Sequence, residues 1–220
     1  DKAASFSDAV RKAVRVARVN DNVRGLWMLH DDARPADERC FEHLLETWRN
    51  APSATVLGCK QLDWDGSALH DVGSYAGRHR IASLVVDGEP DQEQYDGRSD
   101  VYAVSLAGAL VSMAALRTIE WPDPWFGTYR ESADFCRRVC LGGGRVVVGP
   151  AARSAHRRAR FEGVRAHSGK PIDDEMPANT TMERMRAGQR YRYTDMHRTR
   201  WLWAWLFSVL SSLGAFARLL

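Results

Sequence analysis

Leu26-Trp27-Met28-Leu29-His30-Asp31-Asp32-Ala33-Arg34-Pro35 is the stretch on which the fold turns. Four apolar residues run straight into an imidazole and two carboxylates, and a proline then stops the extended run. A short apolar run of this kind reads as a strand buried on both faces. Acidic residues at its C-terminal end fall where open α/β sheets place their ligands. Side chains alternate along a strand, so His30 and Asp32 share one side and Asp31 takes the other. An imidazole and a carboxylate facing one cleft can hold a divalent cation such as Mg²⁺ or Mn²⁺. The simpler reading of the same residues is a strand ending in a polar turn, with Asp32 capping the next helix.

Working outward, residues 1–19 read as an amphipathic helix. Phe6, Val10, Ala13, Val14 and Ala17 form its apolar stripe, with Arg11, Arg15 and Arg18 opposite. After the quoted stretch, residues 36–49 repeat the helical pattern, and Asn50-Ala51-Pro52 ends it. Thr55 to Leu62 is a strand rich in β-branched and apolar residues. The order helix, strand, helix, strand implies an α/β fold with a mostly parallel sheet flanked by helices. Farther on, Val101 to Leu106 reads as a strand leading into Ala107-Gly108-Ala109. Small residues there let backbone approach a ligand, which makes Gly108 a substrate-binding candidate. The acidic run from Asp87 to Asp100 reads as a solvated loop, with a substrate-ordered lid as the alternative. Arg145 to Val148 is a further strand, and Pro150 leads to His156.

A second dense region spans 119–141. Pro122, Pro124 and Gly127 hold Trp125 and Phe126 on a rigid loop. A helix begins near Ser132, whose hydroxyl suits an N-cap. Glu131 and Asp134 fall at the helix start, where the dipole favours acids. Asp134 and Arg138 are spaced to pair.

Composition narrows the classes. The 220 residues suffice for one domain with a real core. With 45% hydrophobic and 27% charged residues, the chain is neither disordered nor wholly membranous. A net charge of +3 makes no case for a nucleic-acid partner. Four cysteines are too few for a disulfide scaffold and fit a reducing, cytoplasmic setting. Cys136 and Cys140 read as buried small hydrophobes rather than zinc ligands. No signal-peptide pattern and no initiating methionine occur, which is expected of a piece of a longer protein. From Arg153 to Arg200, Lys and Arg outnumber Asp and Glu two to one. Residues 201–217 carry no charge and open with Trp201, Trp203 and Trp205. A hydrocarbon core needs about 20 apolar residues, with a lower limit near 17. We therefore expect a domain over 1–156, a basic connecting segment over 157–200 and a membrane-associated apolar helix over 201–220. Arginines just before that helix would put the domain at the cytoplasmic face of the membrane.

Taken in order, these motifs resemble those of family 2 glycosyltransferases with a GT-A fold, of the kind found in bacterial cell-surface polysaccharide synthesis. His30-Asp31-Asp32 sits where that family has its Asp-x-Asp motif. Glu131 to Arg138 sits where it has an acidic helix start. Gly144 to Val148, through Pro150 to His156, resembles its closing strand and metal-binding histidine. The resemblance covers about residues 6–156. It implies an inverting, metal-dependent transfer of a sugar from a nucleotide-diphosphate sugar to a glycan or lipid-linked acceptor. It assigns the Mg²⁺ or Mn²⁺ ligands to Asp32 and His156, with His30 or Asp31 nearby. Arg157 and Arg158 would help hold phosphates, and Trp125 would offer a face to a sugar ring. Glu131 becomes the base, with Asp134 next. The chain departs from the family in three places. His30 replaces the first aspartate of the metal motif, and Ser132 stands where the family has its general base, a poor substitute for a carboxylate. The strands that grip the nucleotide base are expected to lie outside these 220 residues. Two alternatives stay open: a non-catalytic glycosyltransferase-like binding or scaffold domain, and a metal-dependent phosphotransferase.

Overall fold

The computed structural model describes residues 3, 6–17, 20, 22–76, 81–86, 88–126, 130–157, 186–191 and 209–210. Arg158, most of the basic segment 157–200 and most of 201–220 lie outside these residues. Among the described residues no helix is long and apolar enough to cross a membrane.

A mixed sheet forms the centre. Its order is β1 (Gly25–Met28), β7 (Ala109–Ser112), β3 (Ala54–Leu62), β8 (Arg145–His156) and β2 (Ala33–Pro35), and β4 (Leu69–Asp71) pairs with β3 outside this path. β5 (Ser74–Ala76) and β6 (Ile81–Ser83) form a separate hairpin-like pair. Alternation along the strands sorts the core into two layers. Val56, Val111, Val146 and Val148 face one side, with Met113 and Leu116 of α3 (Met113–Thr118) and Phe135, Cys136 and Val139 of α4 (Glu131–Leu141). Leu57, Leu110 and Val147 face the other, against Cys40 and Leu44 of α2 (Cys40–Asn50). Full burial of each such Val, Leu or Phe contributes roughly 1.5–3 kcal/mol. Phe6 and Val10 of α1 (Phe6–Val16) pack on the α4 side, and the buried Ser7 hydroxyl donates to the Pro122 carbonyl.

The α/β class with helices on the sheet is as expected, but the strand sense is mixed rather than mostly parallel. β3 and β8 are parallel, whereas β1·β7, β3·β7, β2·β8 and β3·β4 are antiparallel. Both β1 and β3 are antiparallel to β7, so they run the same way, as a strand-helix-strand unit requires. The order of elements predicts that common direction. It carries no information about a later strand entering between the two.

Two local expectations are corrected and a third gains a detail. β1 is an edge strand in which only Met28 is buried, because it pairs with β7 alone among the described strands. The strand expected over Val101–Leu106 falls instead at Ala109–Ser112. Within Val101–Leu106 the isolated bridge among the described residues is Ala103 to Ser74 of β5, and the run packs by its side chains. A methyl added at Gly58 would sit 2.6 Å from Val104, and one at Gly73 2.8 Å from Val101. A packed apolar run and a paired strand share one sequence pattern. Finally, the acidic loop is exposed over most of its described length, as expected, and is also fastened to β3. The buried Lys60 ammonium on β3 pairs with Asp91 at 3.0 Å and Asp96 at 2.5 Å, and Tyr95 donates to Glu89 at 2.6 Å.

Candidate functional site

The quoted stretch ends beside the last residue of β8. β2 pairs antiparallel with β8 so that Ala33 lies opposite His156. A turn closes between the His30 carbonyl and the Ala33 N–H at 3.1 Å, and the Arg157 N–H donates to the Asp32 carbonyl at 2.9 Å. This short ladder joins residues 124 positions apart. His156 Nε2 lies 3.3 Å and His30 Nδ1 4.0 Å from Asp32 Oδ1. One ligand atom from each of His30, Asp32 and His156 lies within 4.8 Å of the other two. Asp31 is exposed and outside this group; β1 ends at Met28, so the turn at 31–32 and not strand alternation sets these side chains apart.

These residues fit a divalent cation. They supply two imidazoles and a carboxylate, all partly buried, at a separation an ion can bridge. His156 Nδ1 is also buried without a hydrogen-bond partner among the described residues. A satisfied core histidine would have used that nitrogen. The position, at the C-terminal ends of β1 and β8, is where an open α/β sheet presents ligands.

Sequence reasoning missed His70 and Asp71. Both lie on β4, and the β3·β4 pairing brings the His70 ring to 5.3 Å from that of His156. The Asp71 carboxylate accepts the N–H groups of Gly73 and Ser105 at 2.9 and 3.1 Å, and burial raises its pKa above the ordinary value. Nothing in an irregular stretch such as 63–100 marks one histidine as special. Only the strand pairing does.

The second dense region builds a different environment. α4 starts after Arg130, whose backbone is left-handed at φ 69°, and no side chain caps it. Ser132 is therefore not the expected N-cap. Its Oγ accepts the Leu106 N–H at 3.2 Å and ties the helix start to the 104–108 loop. That loop also donates Ser105 N–H to Asp71, beside the histidines, and Gly108 N–H to Met28 at 2.8 Å, at the end of β1. One loop thus links the cation corner to the start of α4.

Glu131 is 4% exposed. Its Oε2 has no hydrogen-bond partner among the described residues, and burial raises its pKa from 4.5 to about 7. Asp134 is 3% exposed, but both its oxygens are taken. Arg137 Nη2 and Arg138 Nε each donate to it at 2.8 Å, the latter being the expected pair. With Oδ1 and Oδ2 each engaged by a guanidinium, neither oxygen of Asp134 is left to reach an acceptor hydroxyl. Glu131 is the carboxyl whose environment suits proton transfer near neutral pH.

The remaining candidates divide. Arg157 is exposed beside Asp32, whereas Arg158 lies outside the described residues. Trp125 is 46% exposed, and the Arg190 guanidinium lies over its ring at 5.2 Å, also donating to its carbonyl. Gly108 has φ 127°, and an added methyl would meet Ser154 Oγ at 3.0 Å. The protein's own side chains crowd this glycine.

A family model described as glycosyl transferase family group 2 matches residues 26–220. The chain belongs to this family. The protein is accordingly a glycosyltransferase, and its sheet flanked by helices agrees with a GT-A-like fold. Comparison with curated proteins gives no match. Among solved structures, the chain is similar to a crystal structure of a protein from STIV, with 11% identity and a TM-score of 0.36. That match covers 76% of this chain and 78% of the other. In this family member the cluster of His30, Asp32 and His156 is the candidate centre for the cation, and Glu131 is the candidate proton acceptor.

Proposed function

We propose that the protein transfers a sugar, with inversion and with the help of a divalent cation, from a nucleotide-diphosphate sugar to a glycan or lipid-linked acceptor. The observation that carries this reading is the convergence of His30, Asp32 and His156 at the strand ends of a glycosyltransferase fold. A dication held by these side chains would neutralise charge developing on the leaving diphosphate. The acceptor oxygen attacks the anomeric carbon opposite the diphosphate, the carbon–oxygen bond to the diphosphate breaks, and the hydroxyl proton passes to a carboxylate. Glu131, buried and titrating near 7, is the residue we assign to that proton. Attack from the opposite side inverts the anomeric centre. Arg157 beside Asp32 is assigned to the diphosphate, as is Arg158 on its position in the sequence.

The uncharged run 201–217 and the arginines before it support a cytoplasmic membrane-face location, and with it an acceptor of the cell-surface polysaccharide type. Ser132, where the resemblance implies a general base, favours the second reading, a non-catalytic domain that binds a nucleotide sugar. One experiment separates the two. The full chain is incubated with nucleotide-diphosphate sugars and a lipid-linked or glycan acceptor, and the product anomer is read by NMR. Inverted product from the wild type, lost in Asp32→Asn, is expected. Retained configuration would overturn the mechanism. Binding of the donor with neither transfer nor donor hydrolysis would favour the non-catalytic reading.

A further inference from the structure

The cation corner is richer in nitrogen than a magnesium site. Its donors are two imidazoles and a single carboxylate, and a third imidazole, His70, stands against His156 with ring centres 5.3 Å apart and planes tilted by 57°. The His30 and His156 rings are 5.7 Å apart and meet edge to face at 81°. An ion about 2.1 Å from an imidazole nitrogen sits roughly 3.2 Å from the ring centre. Two such rings subtending about 125° at the ion would have centres roughly 5.7 Å apart, which is the separation of His30 and His156. The rings are also braced. Phe6 packs on His30 at 4.2 Å, His70 packs on His156, and the β2·β8 ladder fixes Asp32.

We propose that this centre selects late first-row dications such as Co²⁺ and Zn²⁺ over Mg²⁺, through the direct nitrogen donors His30 and His156, with His70 as the positioning residue for the His156 ring. The inference rests on the cation-assisted reading above and concerns which ion that site takes. Magnesium demands oxygen ligands in near-octahedral array and gives up its water reluctantly. One carboxylate offers it little charge, and two imidazoles replace oxygens it would keep. The late first-row ions gain from the same nitrogen donors, and affinity for such sites rises from Mn²⁺ through Co²⁺.

The test is calorimetric titration of the full chain with MgCl₂, MnCl₂ and CoCl₂, with the visible absorption of bound Co²⁺ and the nitrogen hyperfine couplings of bound Mn²⁺ as spectroscopic readouts. In the wild type, Co²⁺ should bind at least about tenfold more tightly than Mg²⁺, with Mn²⁺ between them and two imidazole couplings resolved. His30→Asp exchanges a nitrogen for an oxygen. It should lower the Co²⁺-to-Mg²⁺ affinity ratio by about tenfold or more and leave one imidazole coupling. His70→Ala should keep both couplings and weaken every ion alike. Because His30 also packs on Phe6, the wild-type competition stands as a measurement independent of that variant's folding. Equal affinity for Mg²⁺ and Co²⁺ in the wild type, or an unchanged ratio in a folded His30→Asp, would overturn the selectivity while leaving the cation site intact. Binding unaltered by Asp32→Asn would overturn the site itself.

Discussion

Glu131 and Asp134 are three residues apart on one helix and almost equally buried, at 4% and 3% exposure, yet they are chemically opposite. Asp134 is held by two arginines, and Arg138 continues to the carbonyls of Ile119 and Trp121 at 2.6 and 3.1 Å. That network fastens α4 to the preceding loop. Glu131 has an oxygen without a hydrogen-bond partner among the described residues, and burial raises its pKa to about 7. Burial alone does not tell a structural carboxylate from a reactive one; the partners do. An uncompensated buried acid is a cost that folding alone gives no reason to keep, which makes Glu131 the residue to test.

The largest expected effect is on turnover. Glu131→Gln keeps the shape and removes the basicity, and loss of a general base typically costs 10²–10⁴-fold in rate. Wild-type transfer should rise with pH through about 7 as the carboxyl ionises, and that limb should vanish in the variant. A pH–rate profile unchanged by the substitution would move the base elsewhere.

Next in size is Asp134→Asn, which removes the carboxylate charge that two guanidiniums share. Removing one partner of a buried pair costs about 3–5 kcal/mol. Arg138 is 26% exposed, so the lower end, about 3 kcal/mol in urea unfolding, is expected. A loss under about 1 kcal/mol would show that the network is not structural.

The third expectation reverses the sign. A carboxyl whose folded pKa is raised binds its proton more tightly folded than unfolded. Its stabilising contribution is therefore full below pH 4.5 and is lost as pH rises to about 7. Above that, Glu131 is a buried charge with a standing penalty. Glu131→Gln should accordingly stabilise the fold at pH 8 by about 3 kcal/mol, at 1.36 kcal/mol per pKa unit, and do little at pH 4. Thermal unfolding of both proteins at the two pH values checks this. An equal difference at both would contradict the raised pKa.

The smallest effect belongs to Ser132, which lies between the two acids. Ser132→Ala leaves the Leu106 N–H without its acceptor and should cost about 1 kcal/mol. Turnover should fall far less than in Glu131→Gln, through loosening of the 104–108 loop. Hydrogen exchange at the Leu106 amide is the direct readout. Protection as strong as in the wild type would remove the tether from the account.

Several features were legible in the residues because their causes are local. Apolar period marks α1, α2 and β3, glycines end α4, and an Asp–Arg pair at helical spacing forms as read. Strand alternation predicts that His30 and Asp32 lie together, but β1 ends at Met28 and a turn brings them together. Other features depend on contacts distant in sequence. The entry of β7 between β1 and β3, the packing of Val101–Leu106 without pairing, and the arrival of His70 beside His156 each depend on which strand a segment meets. The division of labour between Glu131 and Asp134 is of the same kind. The sequence by itself determined an α/β glycosyltransferase chain with acids at a strand end and a helix start. Only the tertiary structure decided which acid is neutralised and which histidines converge, because charge compensation and ligand geometry act through space over a few ångströms, whereas sequence patterns report only neighbours along the chain.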